Sequence, residues 1–418
     1  MRKTPDRGAV AMGRPSRAGA ACRPSGSRIP ALALVLLAGP MSCGIAAPAL
    51  VLDDTAHGLG VTVAAATWIV TAFGGGVAVG TPLAGGLAAR RGARAAVLMC
   101  SAVLATGVVL GAAVPILPAL IGAGALQGIG AGGLAATALS LAETPRTTGL
   151  VTASLAVIGS VSPLAGSWLA EAASWRVVYL LPAVALLAVP YVSRSGPLAR
   201  DARPTARTPA DVRGALLLTV LVTGLVLIPH EAAAGSAVAA VTAVALGVHM
   251  RARPDGFVPL AVVRAPRFVA AAALAFALAV SNFGILYAAP HLLEDGWGWT
   301  ANRIGLVMLW PYLAGGALSW LMVACSQRGR PAVVTGALVA TGAAAPMVVS
   351  THPPLPVLLA AMAAGSLAAA SGQAILTVRA ASAAPGNQLP TAVGLFNLCY
   401  LLGSAFGPAI AAASLDSG

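Results

Sequence analysis

The chain has 418 residues, of which 58% are hydrophobic and only 9% charged, and its formal net charge is +13. Soluble domains carry about 25% charged residues, so a soluble fold of this size could not cover its surface with so few, and the excess apolar side chains must face lipid. The basic residues lie in small clusters between long apolar runs, which argues against a nucleic-acid-binding surface and suits membrane topology.

Residues 1–28 are rich in Arg and read as a disordered, basic cytoplasmic tail. The apolar run that follows is longer than the about 7–15 residues of a signal-peptide core. Thirteen runs meet or approach the about 20 apolar residues of a bilayer span. They are 29–52, 60–89, 95–115, 117–142, 149–171, 176–193, 214–230, 235–250, 268–290, 304–325, 332–350, 355–378 and 390–413. The seventh and eighth are short and separated by "HEAAAGS" (230–236). With a cytoplasmic N-terminus and alternating crossings, 23 basic residues fall inside and only Arg176 and Arg303 outside. One misplaced helix would invert that bias downstream, so the split supports each crossing.

The longest interior polar segment, "SRSGPLARDARPTARTPADVR" (193–213), is a Pro- and Arg-rich cytoplasmic linker. The expected architecture is an all-α polytopic membrane protein. It has an N-terminal six-helix bundle (29–193), a linker (194–213), an extra helix pair (214–250) and a C-terminal bundle (268–418). By this count the second bundle is one helix short, and Gly418 falls outside. An Arg-Gly turn recurs in "ARRGARAAVL" (89–98) and "SQRGRPAVVT" (326–335), a faint echo between two halves with a site between them.

Within this topology "GGLAARRGARAAV" (85–97) forms the cytoplasmic loop between helices two and three. It resembles the signature of the major facilitator superfamily, a Gly-x-Leu-x-Asp-Arg-x-Gly-Arg-type string, through Gly85, Leu87, Arg90, Gly92 and Arg94. "TWIVTAF" (67–73) resembles the opening of helix two in drug exporters. "ALQGIGAGG" (125–133) resembles their helix-four signature, with Gln127, Gly128 and Gly130, whose small residues let helices approach. "VIGSVSPLAGSWL" (157–169) is similar to the antiporter signature of helix five, with Gly159, Pro163 and Gly166, and "SWRVVYLLP" (174–182) to the start of helix six. "FVPLAVVRAPRF" (257–268), after the extra pair, resembles the fourteen-helix drug:proton antiporter branch.

The resemblance implies two helical bundles, a gate at the helix two–three loop, and export of small apolar or amphipathic compounds, drugs or endogenous secondary metabolites, by proton antiport. It implies a multi-pass protein of the cell membrane that acts as a monomer. Three departures point the other way. Ala89 stands where the signature has Asp, Gly124 where helix four carries Arg, and the helix-one Asp of the branch falls near Gly39. The alternative is therefore an uncoupled facilitator or a transport-dead sensor of the same fold.

The remaining chemistry is sparse. Cys22, Cys43, Cys100, Cys325 and Cys399 are odd in number and form no CxxC. Neither a phosphate-binding GxxxxGK[ST] loop nor a metal-ligand spacing occurs, so no cofactor, metal or enzymatic role is expected. No acid lies mid-helix: Asp53, Asp54, Glu171, Glu231, Glu294 and Asp295 fall at external ends, with His57, His230, His291 and His352. They form either a proton-collecting rim or ordinary polar helix ends. Candidate pocket residues are the polar and aromatic side chains of otherwise apolar helices: Gln127, Asn282, Tyr287, Trp310, Tyr312 and Gln373. Gln127, Trp310 and Tyr312 equally suit plain packing. Trp297 and Trp299 suit an interfacial anchor.

Overall fold

A computed structural model describes residues 29–142, 145–195, 211–229, 231–328, 331–383 and 389–415. The expected tail and most of the linker lie outside the described residues. Inside a bilayer no water can satisfy a free backbone group, so apolar runs become helices, and all regular structure among the described residues is helical.

Besides short helices at Leu52–Leu59, Trp175–Val178 and Leu260–Arg264, the helices in chain order are α1 (Ala31–Leu50), α2 (Val63–Arg91), α3 (Ala93–Ala113), α4 (Leu117–Leu141), α5 (Pro145–Ala172), α6 (Leu181–Arg194) and α7 (Val212–Leu227). They continue with α8 (Ala232–Ala252), α9 (Pro266–Trp297), α10 (Ala301–Arg328), α11 (Pro331–Val349), α12 (Leu355–Ala381) and α13 (Leu389–Leu415). Each of the thirteen runs is helical. Among the described residues ten helices are long and apolar enough to cross a membrane, while α6 and α7 are shorter apolar helices. α10 is 28 residues long, with Asn302, Arg303 and Arg328 at its ends.

Proline explains the irregular members. α1 breaks at Gly39–Pro40 and tightens into a 3-10 turn from Ala47, because prolines lack the N–H that a continuous ladder needs. α6 begins as a 3-10 stretch, Leu181–Ala188, with prolines near the start of each part.

One expectation needs correction. The "loop" between the second and third helices is a single residue. α2 runs to Arg91, α3 starts at Ala93, and Gly92 between them takes φ 84°, a backbone region that only glycine enters without strain. Gly85, Leu87 and Arg90 are therefore helical.

Glycines set the central packing. A methyl group on Gly76 or Gly80 of α2 would overlap the Ala125 or Ile129 carbonyl of α4, and one on Gly128 would overlap the Phe73 carbonyl of α2. One on Gly132 would lie 2.6 Å from the Val77 oxygen. The backbones of α2 and α4 thus touch along an i, i+4 glycine face. α3 covers the other side of α4, and α5 and α6 pack on α1. In the second group α9 packs on α13 and α12, and α12 also holds α10 and α11. The groups meet along two seams, α2 with α13 and α5 with α10. α7 and α8 form a hairpin, and α7 leans on α2 and α13.

Gly128→Val is expected to destabilise the fold by about 1–3 kcal/mol through overpacking, read as a lower unfolding temperature and lower membrane abundance. Gly336, whose added methyl would meet nothing within 4 Å, is the control. Gly336→Ala is expected to be neutral or stabilising by up to about 1 kcal/mol.

Candidate functional site

The site is built on helix ends and on the seams between the two groups. Alternating helices put Arg90, Arg91, Arg94, Arg194, Arg213, Arg251, Arg253, Arg264, Arg267 and Arg379 at one end of the bundle, here the basic end. At the opposite, acidic end lie Asp53, Asp54, Glu171, Glu294 and Asp295. Arg90 and Arg91 occupy the last turn of α2, where exposed carbonyls favour cations. Arg91 and Arg94 are exposed and Arg90 is half-buried, and the first turn of α3 holds no acid. The side chain of Ala89 lies outside the described residues.

The other two departures from the family pattern are built into the packing. A methyl group on Gly124 would fall 2.8 Å from the Ile69 carbonyl oxygen of α2, and Ile158 of α5 fills the space beside Gly39. An arginine at the first position would force α4 away from α2, whereas at the second the obstacle from the facing helix is the tip of the Ile158 side chain. The narrow cleft next to Gly124, lined also by Gly44, Phe73, Gln127 and Tyr179, has room for little more than a water.

The helix-five signature lies on α5 where it meets α1. Pro163 and Gly166 are buried. An added methyl on Gly166 would lie 2.6 Å from the Ala47 oxygen, so the backbones touch, whereas Gly159 faces Ser42 at an ordinary 3.6 Å.

The candidate pocket residues have different surroundings. Gln127 Nε2 donates to the Gly107 oxygen of α3 at 3.3 Å, and Tyr287 Oη donates to the Ile45 oxygen of α1 at 2.6 Å. Gln373 is half-buried, and its backbone carbonyl accepts from the Thr377 hydroxyl. Trp310 is 71% exposed on a stripe with Leu306, Leu318 and Leu321, the composition of a lipid-facing surface, and is not brought together with the others. Asn282 Oδ1 and Tyr312 Oη are buried without a hydrogen-bond partner among the described residues, as is Ser371 Oγ. Such orphaned atoms are costly in an apolar interior.

At the acidic end the two groups are tied together. Besides Tyr287 on Ile45, Ser167 Oγ donates to Asn302 Oδ1 at 2.9 Å and Asn302 Nδ2 donates to Glu171. His291 Nδ1 stands 3.9 Å from Asp53 Oδ2. Gly305 of α10 sits against Leu164 and Leu50. Sequence reasoning missed Ser167 and Asn302, since nothing local distinguishes a serine or asparagine at a helix end from any other. It also missed Asp211 and His249, which meet at the basic end at 2.7 Å. An aspartate directly before a helical run is an N-cap signal, but its partner is 38 residues away.

This geometry, two groups of antiparallel helices joined along two seams and tied at one end, defines a polytopic membrane transporter. The family model of the Major Facilitator Superfamily matches residues 32–279 and 269–418, and the chain belongs to that superfamily. Among solved structures, the human organic anion transporter MFSD10 (TETRAN) superposes with a TM-score of 0.60 at 16% identity over 93% of each chain. A POT family transporter in complex with a thioalcohol-conjugated peptide superposes with a TM-score of 0.62 at 15% identity, over 93% of this chain and 90% of that one. At these identities the likeness is one of fold. No curated protein sequence matches the chain. The protein is a multi-pass membrane transporter, and its substrates are small molecules.

The ties at the acidic end make a direct prediction. Tyr287→Phe combined with Asn302→Ala removes contacts worth about 0.5–1.5 kcal/mol each. A cysteine replacing Leu50 in that background is expected to react with a water-soluble maleimide about tenfold faster than in the parent. An unchanged rate would mean that apolar packing alone holds this end shut.

Proposed function

We propose that the protein exports small, uncharged, apolar or amphipathic organic compounds, drugs or endogenous secondary metabolites, across the cell membrane, with its N-terminus in the cytoplasm. In this reading the basic end is cytoplasmic, the acidic end external, and the conformation described is closed to the outside. The six-helix unit α1–α6 and the unit beginning at α9 rock about the α2–α13 and α5–α10 seams. Arg90 and Arg94 serve the cytoplasmic gate.

The observation that supports the substrate class is that the unpartnered polar atoms of the interior, Asn282 Oδ1 and Tyr312 Oη among them, are neutral. The first can accept a hydrogen bond from an uncharged ligand and the second can donate one. MFSD10 is named for organic anions. Here no arginine or lysine among the described residues is buried, and Asp211, at a helix cap, is the only buried carboxylate among them. A permanently charged cargo would thus enter the interior without a counter-charge.

The tight packing at Gly124, where the family carries an arginine, favours an uncoupled facilitator as the second reading. Export against a gradient, which raised tolerance requires, is the first reading, by proton antiport. Asp53 and His291, which meet across the halves at the acidic end, give it a titratable pair at the outer rim.

The test is expression in a drug-sensitive bacterial host against a panel of uncharged amphipathic antibiotics. Raised tolerance to at least one, lost in Asn282→Ala, is the expected result, and Tyr312→Phe should weaken apparent affinity about tenfold. A panel-wide null result would sink the export reading. In inverted vesicles, acceleration by an imposed pH gradient that disappears in His291→Gln would favour antiport, whereas gradient-independent flux supports the facilitator.

A further inference from the structure

An ionisable side chain with three hydrogen bonds, Asp211, lies outside the span interior, where the extra helix pair begins. Asp211 is 5% exposed. Its Oδ1 accepts from the Gly214 N–H at 2.9 Å, which caps α7, and lies 2.7 Å from His249 Nε2 in the last turn of α8. Its Oδ2 accepts from the Phe257 N–H at 2.8 Å. Burial works against the charge, but the bonds from Phe257, Gly214 and His249 outweigh it and hold the carboxyl below the usual aspartate range. One carboxylate thereby joins the start of α7, the end of α8 and the segment leading to α9. Gly256 leaves no room beside it, since an added methyl would crowd Asp211 Oδ2.

The fourth contact gives this clasp a direction. With its N–H fixed, Phe257 lays its ring against Gly86 of α2, where a methyl group would lie 2.9 Å from the ring edge. Gly86 is just over one helical turn before Arg90, Arg91 and the single-residue turn at Gly92. Higher on the same helix, Val226 of α7 packs against Gly75. The extra pair and the segment that follows it therefore touch α2 at two heights, the lower one directly beside the basic turn.

We propose that Asp211, His249 and Phe257 are positioning residues for the α2–α3 gate. The clasp locks the extra helix pair, and Phe257, seated on Gly86, holds the end of α2 and hence the Arg90–Arg94 turn in place. The extra pair is in this sense a brace for the gate. The proposal rests on the gate assignment above, but its test needs no transported compound and so stands or falls independently of the substrate reading.

The full-length protein in nanodiscs, with both faces open to protease, is treated with a trace of trypsin. Cleavage within the Arg90–Arg94 turn is followed by peptide mass spectrometry, with cleavage after Arg379, at the end of α12, as internal control. Asp211→Ala and Phe257→Ala are each expected to raise cleavage at the turn about tenfold with the control unchanged. Asp211→Asn, which keeps part of the hydrogen bonding, should fall between. Phe257→Ala leaves the clasp itself intact, so it tests the wedge even if Asp211→Ala folds poorly. Wild-type cleavage at the turn in Phe257→Ala overturns the proposal. So does a parallel rise at Arg379 in both variants, which would mark general loosening.

Discussion

The contact on which the rest depends is the backbone-to-backbone seat of α2 against α4. Lipid chains are as apolar as leucine, so burying leucine between two membrane helices brings little gain. Association comes from close packing of small residues. Gly76, Gly80, Gly128 and Gly132 permit that approach, although each glycine weakens its own helix by about 1 kcal/mol relative to alanine. On the outer side of this pair α2 carries α13 through Gly74 and Ser404, so the seam between the halves is referred back to the same glycine face. The basic turn, the clasped helix pair and Gln127 all hang from one of these two helices.

The same device removes charge from the interior. Gly124 belongs to the glycine face, spaced four residues before Gly128, and the helix approach that it permits leaves no room for a long cation. Among the described residues what remains inside is neutral, and the Asp, Glu and Arg side chains gather at the two ends. The acidic end is bridged by Ser167, Asn302, Glu171 and Tyr287, short-range hydrogen bonds that a modest relative tilt of the halves would break together. The basic end is held differently, by a buried carboxylate and an aromatic wedge on one side of the seam. This asymmetry suits a machine that must open one end at a time.

Much of the fold was legible in the sequence because hydropathy and arginine placement are local, additive signals. All thirteen apolar runs are helices, and all the described arginines but Arg176 and Arg303 sort to one end. The boundaries were less legible. Gly92 was read as the centre of a loop, since a turn of one residue depends on a φ that composition does not state. The site was legible only in part. Asn282 and Tyr312 could be picked out as polar atoms in apolar helices, but the exposure of Trp310 depends on which face of α10 turns outward. The pairing of Asp211 with His249 requires two helices to return to the same end at the right height, and no single-window pattern contains that.

The glycine seam also bears on heredity. A glycine codon can change by one base only to alanine, valine, serine, cysteine, arginine, aspartate, glutamate or tryptophan, and every one of these brings a Cβ. At Gly76, Gly80 and Gly128 the space for that atom is already taken by a carbonyl of the facing helix. No single missense step from these codons is silent to the packing, so the two faces cannot drift separately. Variation in this protein should therefore collect on the lipid side of its helices and spare the line where α2 and α4 meet.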